Sequence, residues 1–338
     1  MIRALRAALL PRVQWLAALL LVFLLLAPWL VDRYTLSILI LVLYFAYLGQ
    51  AWNVMMGFAG LLSIGHALYV GLGAYVSAGL FVHFGVPALL GLVPGMLAAS
   101  LAGAAIGWLG LRFRIGGVYF ALLTIAFAEF ARIGFDHIDW LGASGGLFLP
   151  VTGGGGFDLW RLSGGIALYY YVSLALAAGA FVLCAALLRS RLGYYWLAIR
   201  EDEAAAQALG IDVFRCRMAA VVVSAAMTAA GGTFIAFYNN NLFPESTFAI
   251  GRSIDIILGP IVGGLGTLVG PVLGAFVLTP LGEVLLGVTQ AAGLDLPGLE
   301  LVMHGLLLVI IIRALPGGVW PALRRRLGFL PGAGGGAR

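Results

Sequence analysis

The densest run of chemically capable residues is RSRLGYYWLAIREDEAAAQALGIDVFRCR, residues 189–217, the longest charged segment in the chain. Glu201, Asp202 and Glu203 stand just before a run of alanines, and Gly210 stands just after it. An aspartate there can accept hydrogen bonds from the first free amides of a helix, and negative charge suits that end of the helix dipole. Alanine is the strongest helix former, and a glycine past the end supplies a left-handed closing turn. The pattern predicts a short helix over 202–209, about two turns long. Ala204, Ala205 and Ala208 give that helix a small-residue face that another surface can approach closely. The plain alternative is a solvated linker, but a linker needs neither a cap nor an alanine face.

A second set of polar groups lies inside apolar runs. Asn53, Ser63, His66 and Thr124 have the chemistry to line a polar path or to hydrogen-bond packed helices together. Glu129 and Arg132 are three apart, so they share a helical face. They read either as a self-neutralising structural pair or as groups lining a path. Arg252 and Asp255 flank the start of another run and could anchor it at an interface. Glu129, Asp255 and Glu283 are the acidic groups at membrane depth, where ionisable side chains are costly and usually paired.

Several chemistries are excluded. His137, in DHID (136–139), has close acidic company but no second ligand pair, so no zinc site is expected. Cys184 lies in an apolar run and Cys216 in a charged one, which implies no disulfide framework. The glycine clusters TGGGGF and GGLGTLVG follow no soluble strand, so they are not phosphate loops. All 19 basic residues are arginine. Without lysine there is no Walker A loop. Any ATP used must be hydrolysed by another chain, and no cofactor is expected. No serine, cysteine or aspartate has the partners of a catalytic constellation.

The elements that hold these groups follow from composition. Of 338 residues, 62% are hydrophobic and 10% charged, with a mean hydropathy of +1.07. Soluble domains carry about 25% charged residues. The sequence therefore reads as an all-α, polytopic transmembrane helix bundle. Apolar runs at 13–31, 36–56, 60–82, 87–110, 117–135, 166–188, 218–238, 253–266, 267–288 and 299–315 predict ten spans. The first has signal-peptide flanks but no small-x-small cleavage site, so it reads as retained. Arginines cluster at 1–12, at 112–114, in the loop 189–217 and in the tail 316–338, which places both termini and that loop in the cytoplasm. Basic charge here marks topology, not nucleic-acid binding. The domain reading is a short N-terminal segment 1–12, a membrane domain 13–315 and a C-terminal tail 316–338. GLLSIGHALYVGLGAYV (60–76) and GGLGTLVGPVLGAFV (263–277) echo each other and could mark two related halves.

With these residues in view, a family resemblance emerges. AIREDEAAAQALGID resembles the cytoplasmic coupling loop of ABC importer permeases, with its glutamate-alanine-alanine…glycine pattern. AWNVMMGFAGLLSIGHALYVGLGAYVSA (51–78), VVVSAAMTAAGGTFIAFYNNNLFPESTF and GPIVGGLGTLVGPVLGAFV are similar to the branched-chain amino-acid permease family, over about residues 36–315. The likeness is greatest to its second permease subunit. The resemblance implies a bacterial inner-membrane importer subunit, not an enzyme. Two permease subunits would form the pore, two separate ATPases would drive it, and a periplasmic binding protein would deliver the substrate. Glu201, Asp202, Glu203, Ala204, Ala205, Ala208 and Gly210 would then couple to an ATPase. Asn53, Ser63, His66, Thr124 and Glu129 would be candidates for the pathway of a zwitterionic amino acid. Urea, short amides or another small solute remain open within the family. A secondary transporter driven by an ion gradient is the rival class, but it has no use for a docking helix.

Overall fold

The computed structural model describes residues 22–150, 158–291 and 317–326, with single helical positions at 305, 309 and 313. Residues 1–21, most of the predicted run 299–315 and the cluster TGGGGF lie outside the described residues.

Helix α1 covers 22–30, and α2 runs Arg33–Asn53 before passing into a π-helical turn, Val54–Phe58. Then come α3 (His66–Phe84), α4 (Ala88–Arg112) and α5 (Val118–Asp136). A two-residue strand β1 (Leu147–Phe148) precedes α6 (Ile166–Arg189), α7 (Arg191–Glu201) and α8 (Glu203–Ala208). The chain continues with α9 (Val213–Asn239), β2 (Asn241–Leu242), α10 (Pro244–Thr247), α11 (Ile250–Gly263) and α12 (Gly270–Ala291). Helix α13 (Val319–Arg326) closes the described chain.

Among the described residues seven helices are long and apolar enough to cross a membrane: α2 with its π turn, α3, α4, α5, α6, α9, and α10 with α11. Gly270–Val284 of α12 adds a shorter apolar helix. These account for eight of the predicted runs. The run placed at 253–266 starts earlier than predicted, at Ile250, and the turn expected at GGLGTLVGP is present between α11 and α12.

Helices α2 and α9 form the centre, with 78% and 83% of their apolar windows buried, against 22% for α5 and α6. Lipid gives apolar helices no hydrophobic reason to associate, so close backbone approach must do so. A Cβ at Gly73 of α3 would overlap the Ala229 carbonyl of α9, and one at Gly232 would overlap the Val70 carbonyl. Small residues there let the two backbones touch.

The connections sort into two ends. At one, Trp196 of α7 donates to the Cys216 carbonyl, Pro321 packs on Gly264, and Met55, Leu61 and Phe120 cluster with Leu111 and Ile115. At the other, β1 pairs antiparallel with β2, the His83 ring bonds the Trp140 carbonyl, and Leu89 donates to the Trp160 carbonyl. Arg112, Arg114, Arg189, Arg191, Arg200, Arg215 and Arg217 belong to the first end, and Asp136, Asp139, Asp158 and Glu245 to the second. Within the tail, α13 is packed against the α11–α12 turn and so lies at the basic end.

Candidate functional site

The segment 189–217 is two helices rather than a loop with one. Ser190 caps α7 by accepting from the Gly193 amide at 3.3 Å. Trp196 and Ile199, three apart, are the buried face of α7. The chain breaks to extended geometry at Asp202 and restarts as α8. The Asp202 carboxylate accepts from the Ala205 amide at 2.9 Å, which is the cap the sequence predicts. At the far end Gly210 has φ +84°, its amide donates to the Gln207 carbonyl, and the Ile211 amide donates to the Ala206 carbonyl. This pair of bonds is a Schellman closure. The helix is shorter than the predicted 202–209 because both end residues serve as caps.

One side of α8 is anchored. Ala206 is buried, and Glu203 Oε2 accepts from Arg217 Nη1 of α9 at 2.7 Å. The other side is free: Ala204, Ala205 and Ala208 are exposed, and Leu209 beside them is 82% exposed. An exposed leucine next to small residues is the anchor a partner surface would bury, and sequence reasoning passed over it. The acidic trio is less available than its sequence suggests. Glu201 pairs with Arg200 at 2.8 Å, Glu203 with Arg217, and Asp202 serves as the cap. A groove of about 490 Å³ adjoins α8, lined by Arg191, Tyr195, Leu209, Ile211 and Arg215 among others.

The buried candidates form two groups. In the first, the Ser224 hydroxyl of α9 donates to the Ala51 carbonyl at 2.8 Å, so its oxygen is left to accept from His66 Nε2–H at 2.9 Å. His66 Nδ1 then accepts from the Ser63 hydroxyl at 3.1 Å. The neighbours fix the tautomer of a wholly buried ring. The Ser63 carbonyl accepts from Trp52 Nε1, and Thr124 Oγ1 accepts from the Ile64 amide. The segment 60–66 is thereby tied to α2, α5 and α9. In the second group, Asn53 bonds the backbone of the α11–α12 turn: Nδ2 donates to the Thr267 carbonyl and Oδ1 accepts from the Gly266 amide, both at 2.9 Å. Ser224, the acceptor that completes the histidine's bonding, carried no local sequence signal.

Glu129 sits apart from both groups, on α5. Its Oε1 accepts from Arg132 Nε and Nη2, and Arg132 Nη1 also reaches Asp136. The Glu129 side chain is 39% exposed on a helix whose Phe130 and Ile133 are exposed too. His137 bonds the Ile133 carbonyl.

A bundle of membrane-length helices with two buried polar groups and an anchored surface helix at its basic end defines a polytopic membrane permease. Residues 34–312 match the family described as the permease component of branched-chain amino acid transport systems, and the chain belongs to that family. It is a transport component, not an enzyme. The chain is 30% identical to the high-affinity branched-chain amino acid transport system permease protein LivM of Escherichia coli (strain K12), over 90% of this chain and 74% of that protein. It is 29% identical to LivM of Salmonella typhimurium (strain LT2), over 89% and 73%. No solved structure matches it.

Proposed function

We propose that this chain is one permease subunit of an ATP-driven importer of branched-chain amino acids in a bacterial inner membrane. Partner ATPases dock on α8, a second permease completes the pore, and a periplasmic binding protein supplies the amino acid. The observation that carries the reading is α8 itself: capped at both ends, fixed on its underside, and offering small side chains and Leu209 outward. The sequence holds no lysine, so the ATP site belongs to the partner.

The anchoring supplies a mechanism. Because α8 is tied to α9 through Glu203 and Arg217, and α7 through Trp196, a push on α8 moves elements that pack on the central helix. Such rigid-body shifts switch packed bundles between discrete states. The half-buried Glu129–Arg132 pair at membrane depth faces the pathway or the second permease, because charged groups are costly against lipid. The buried groups around His66 and Asn53 brace the helices that border that pathway. The basic end lies in the cytoplasm, with ten spans and both termini inside.

The test is reconstitution in proteoliposomes with the partner ATPases, second permease and binding protein. Uptake of leucine, isoleucine or valine should require ATP hydrolysis. In vesicles that hold this chain without the ATPases, cysteine at Ser144 should label from the binding-protein side and cysteine at Ala208 from the opposite side. Robust uptake by this chain alone under an imposed ion gradient sinks the ATP-driven reading. Uptake of urea or short amides with no branched-chain uptake moves the substrate and leaves the machinery.

A further inference from the structure

Three elements of the basic end meet at the Gly57 carbonyl. In a continued α-helix its partner would be the Leu61 amide, but the helix closes through Gly60, at φ +71°, and that amide donates to the Met55 carbonyl instead. Arg200, at the end of α7, takes its place: Nη1 donates to the Gly57 carbonyl at 2.6 Å. Arg200 Nη2 donates to Glu201 Oε1 at 2.8 Å, and the Glu201 side chain is 75% exposed. On the other side of Gly57 lies Asn53, whose carboxamide a Cβ at position 57 would overlap. Asn53 in turn holds Gly266 and Thr267, and Gln50 one turn earlier donates to the Leu268 carbonyl at 2.6 Å. The chain of contacts runs from an exposed carboxylate beside α8 to the turn that joins α11 and α12.

We propose that Arg200 is the positioning residue that transmits the state of the α7–α8 segment to the α11–α12 turn, through Gly57 and Asn53. The proposal rests on the reading that α8 docks on an ATPase. A partner that engages Glu201 removes one of the two bonds that hold the guanidinium over Gly57. When the guanidinium leaves, the Gly57 carbonyl has lost its donor, and the left-handed turn at Gly60 unwinds to return the Leu61 amide to it, altering the π turn just before. That shifts Asn53, and with it the grip on Gly266 and Thr267. The closing turn 54–60 is the two-state element, and Arg200 biases it. Coupling of this kind is a free-energy difference between two states that each end can sense.

The experiment uses the reconstituted complex with Arg200→Ala, Arg200→Lys and Asn53→Ala, each checked for insertion and thermal unfolding. Co-purification of the ATPases should stay at the wild-type level for all three. Uptake per ATP hydrolysed should fall about tenfold for Arg200→Ala and for Asn53→Ala, the scale of losing a hydrogen bond to a charged group. Arg200→Lys, which keeps one charged donor, should recover part of the ratio. Amide exchange across 264–269 should rise in Arg200→Ala although that residue is far from the turn in sequence. Unchanged uptake per ATP, or unchanged exchange at 264–269, overturns the proposal. So does loss of co-purification in Arg200→Ala with a normal Asn53→Ala, which makes Arg200 a docking contact. If Arg200→Ala does not fold, Arg200→Lys decides by the same measurements. Failure of the wild-type chain to hold the ATPases refutes the docking reading instead, before any variant is tested.

Discussion

At the basic end, Asp202 and Gly210 shape a six-residue helix whose alanines stay exposed, and each acts on atoms within a few residues of itself. Inside the bundle, Ser63, His66 and Ser224 are just as polar, yet they are wholly buried, and His66 reaches a partner 158 residues away. The two regions use the same kinds of groups under opposite rules. On the surface an unmade hydrogen bond is made by water, so a side chain can be exchanged as long as the shape survives. In the bundle no water replaces a lost partner, and an orphaned donor bears its full desolvation cost. The surface helix is therefore free to specialise for a partner, while the joint is fixed by its own neighbours. Substitutions ranked by the stability they remove should separate the two regions cleanly.

The largest loss is expected at Gly65. A Cβ there would overlap the carbonyl of Thr124, a backbone atom that cannot rotate aside. Gly65→Val should displace α5 from the 60–66 segment and cost roughly 3 kcal/mol or more, as over-packing against backbone does. Thermal unfolding in detergent should show a large fall, and the inserted yield should drop. A melting temperature within a degree or two of wild type would mean that the segment is loosely held, and the contrast between the regions would lose its basis.

Ser224→Ala should come second. It leaves the His66 Nε2–H without its acceptor and the Ala51 carbonyl without its side-chain donor. The expected cost is about 1–2 kcal/mol, the range for polar contacts between membrane helices. Ser224→Thr keeps the hydroxyl and should restore most of it. If alanine and threonine behave alike, the His66 bond contributes nothing and the site is ordinary apolar packing.

How much of this was legible follows the same division. Hydropathy located the eight apolar helices because each is a property of consecutive residues. Asp202 and Gly210 were legible as caps because a cap acts over three residues. Helix α7 was missed as a separate element, although Ser190 with Leu192, Trp196 and Ile199 at helical spacing was a usable signal. The Glu203–Arg217 pair spans 14 residues, Arg200 to Gly57 spans 143, and Asn53 to Thr267 spans 214. No local pattern specifies such partners. The buried role of Ala206 was hidden too, since four alanines and one glutamine give no clue to which face is anchored.

The smallest stability effect, and the sharpest use of the comparison, is expected at Ala205. Its side chain is exposed, and only its backbone is engaged, the amide by the Asp202 cap and the carbonyl by the Leu209 amide. Exchanging it for tryptophan costs only helix propensity, about half a kcal/mol. Thermal unfolding of Ala205→Trp should therefore match wild type within error, and the protein should insert normally. Of positions 65, 224 and 205, function should part from stability at 205 alone. An indole on the small-residue face holds a docking surface away by more than the reach of the contacts it interrupts. Co-purification with the ATPases and ATP-dependent uptake should both fall, by tenfold or more if the face is central to the interface. In Ser224→Ala, by contrast, any loss of uptake should track the loss of folded protein. A stable Ala205→Trp variant with full uptake would leave α8 as a solvated link between α7 and α9. The polar surface region would then carry no more function than its burial requires, and the ATPase would have to bind elsewhere on the basic end.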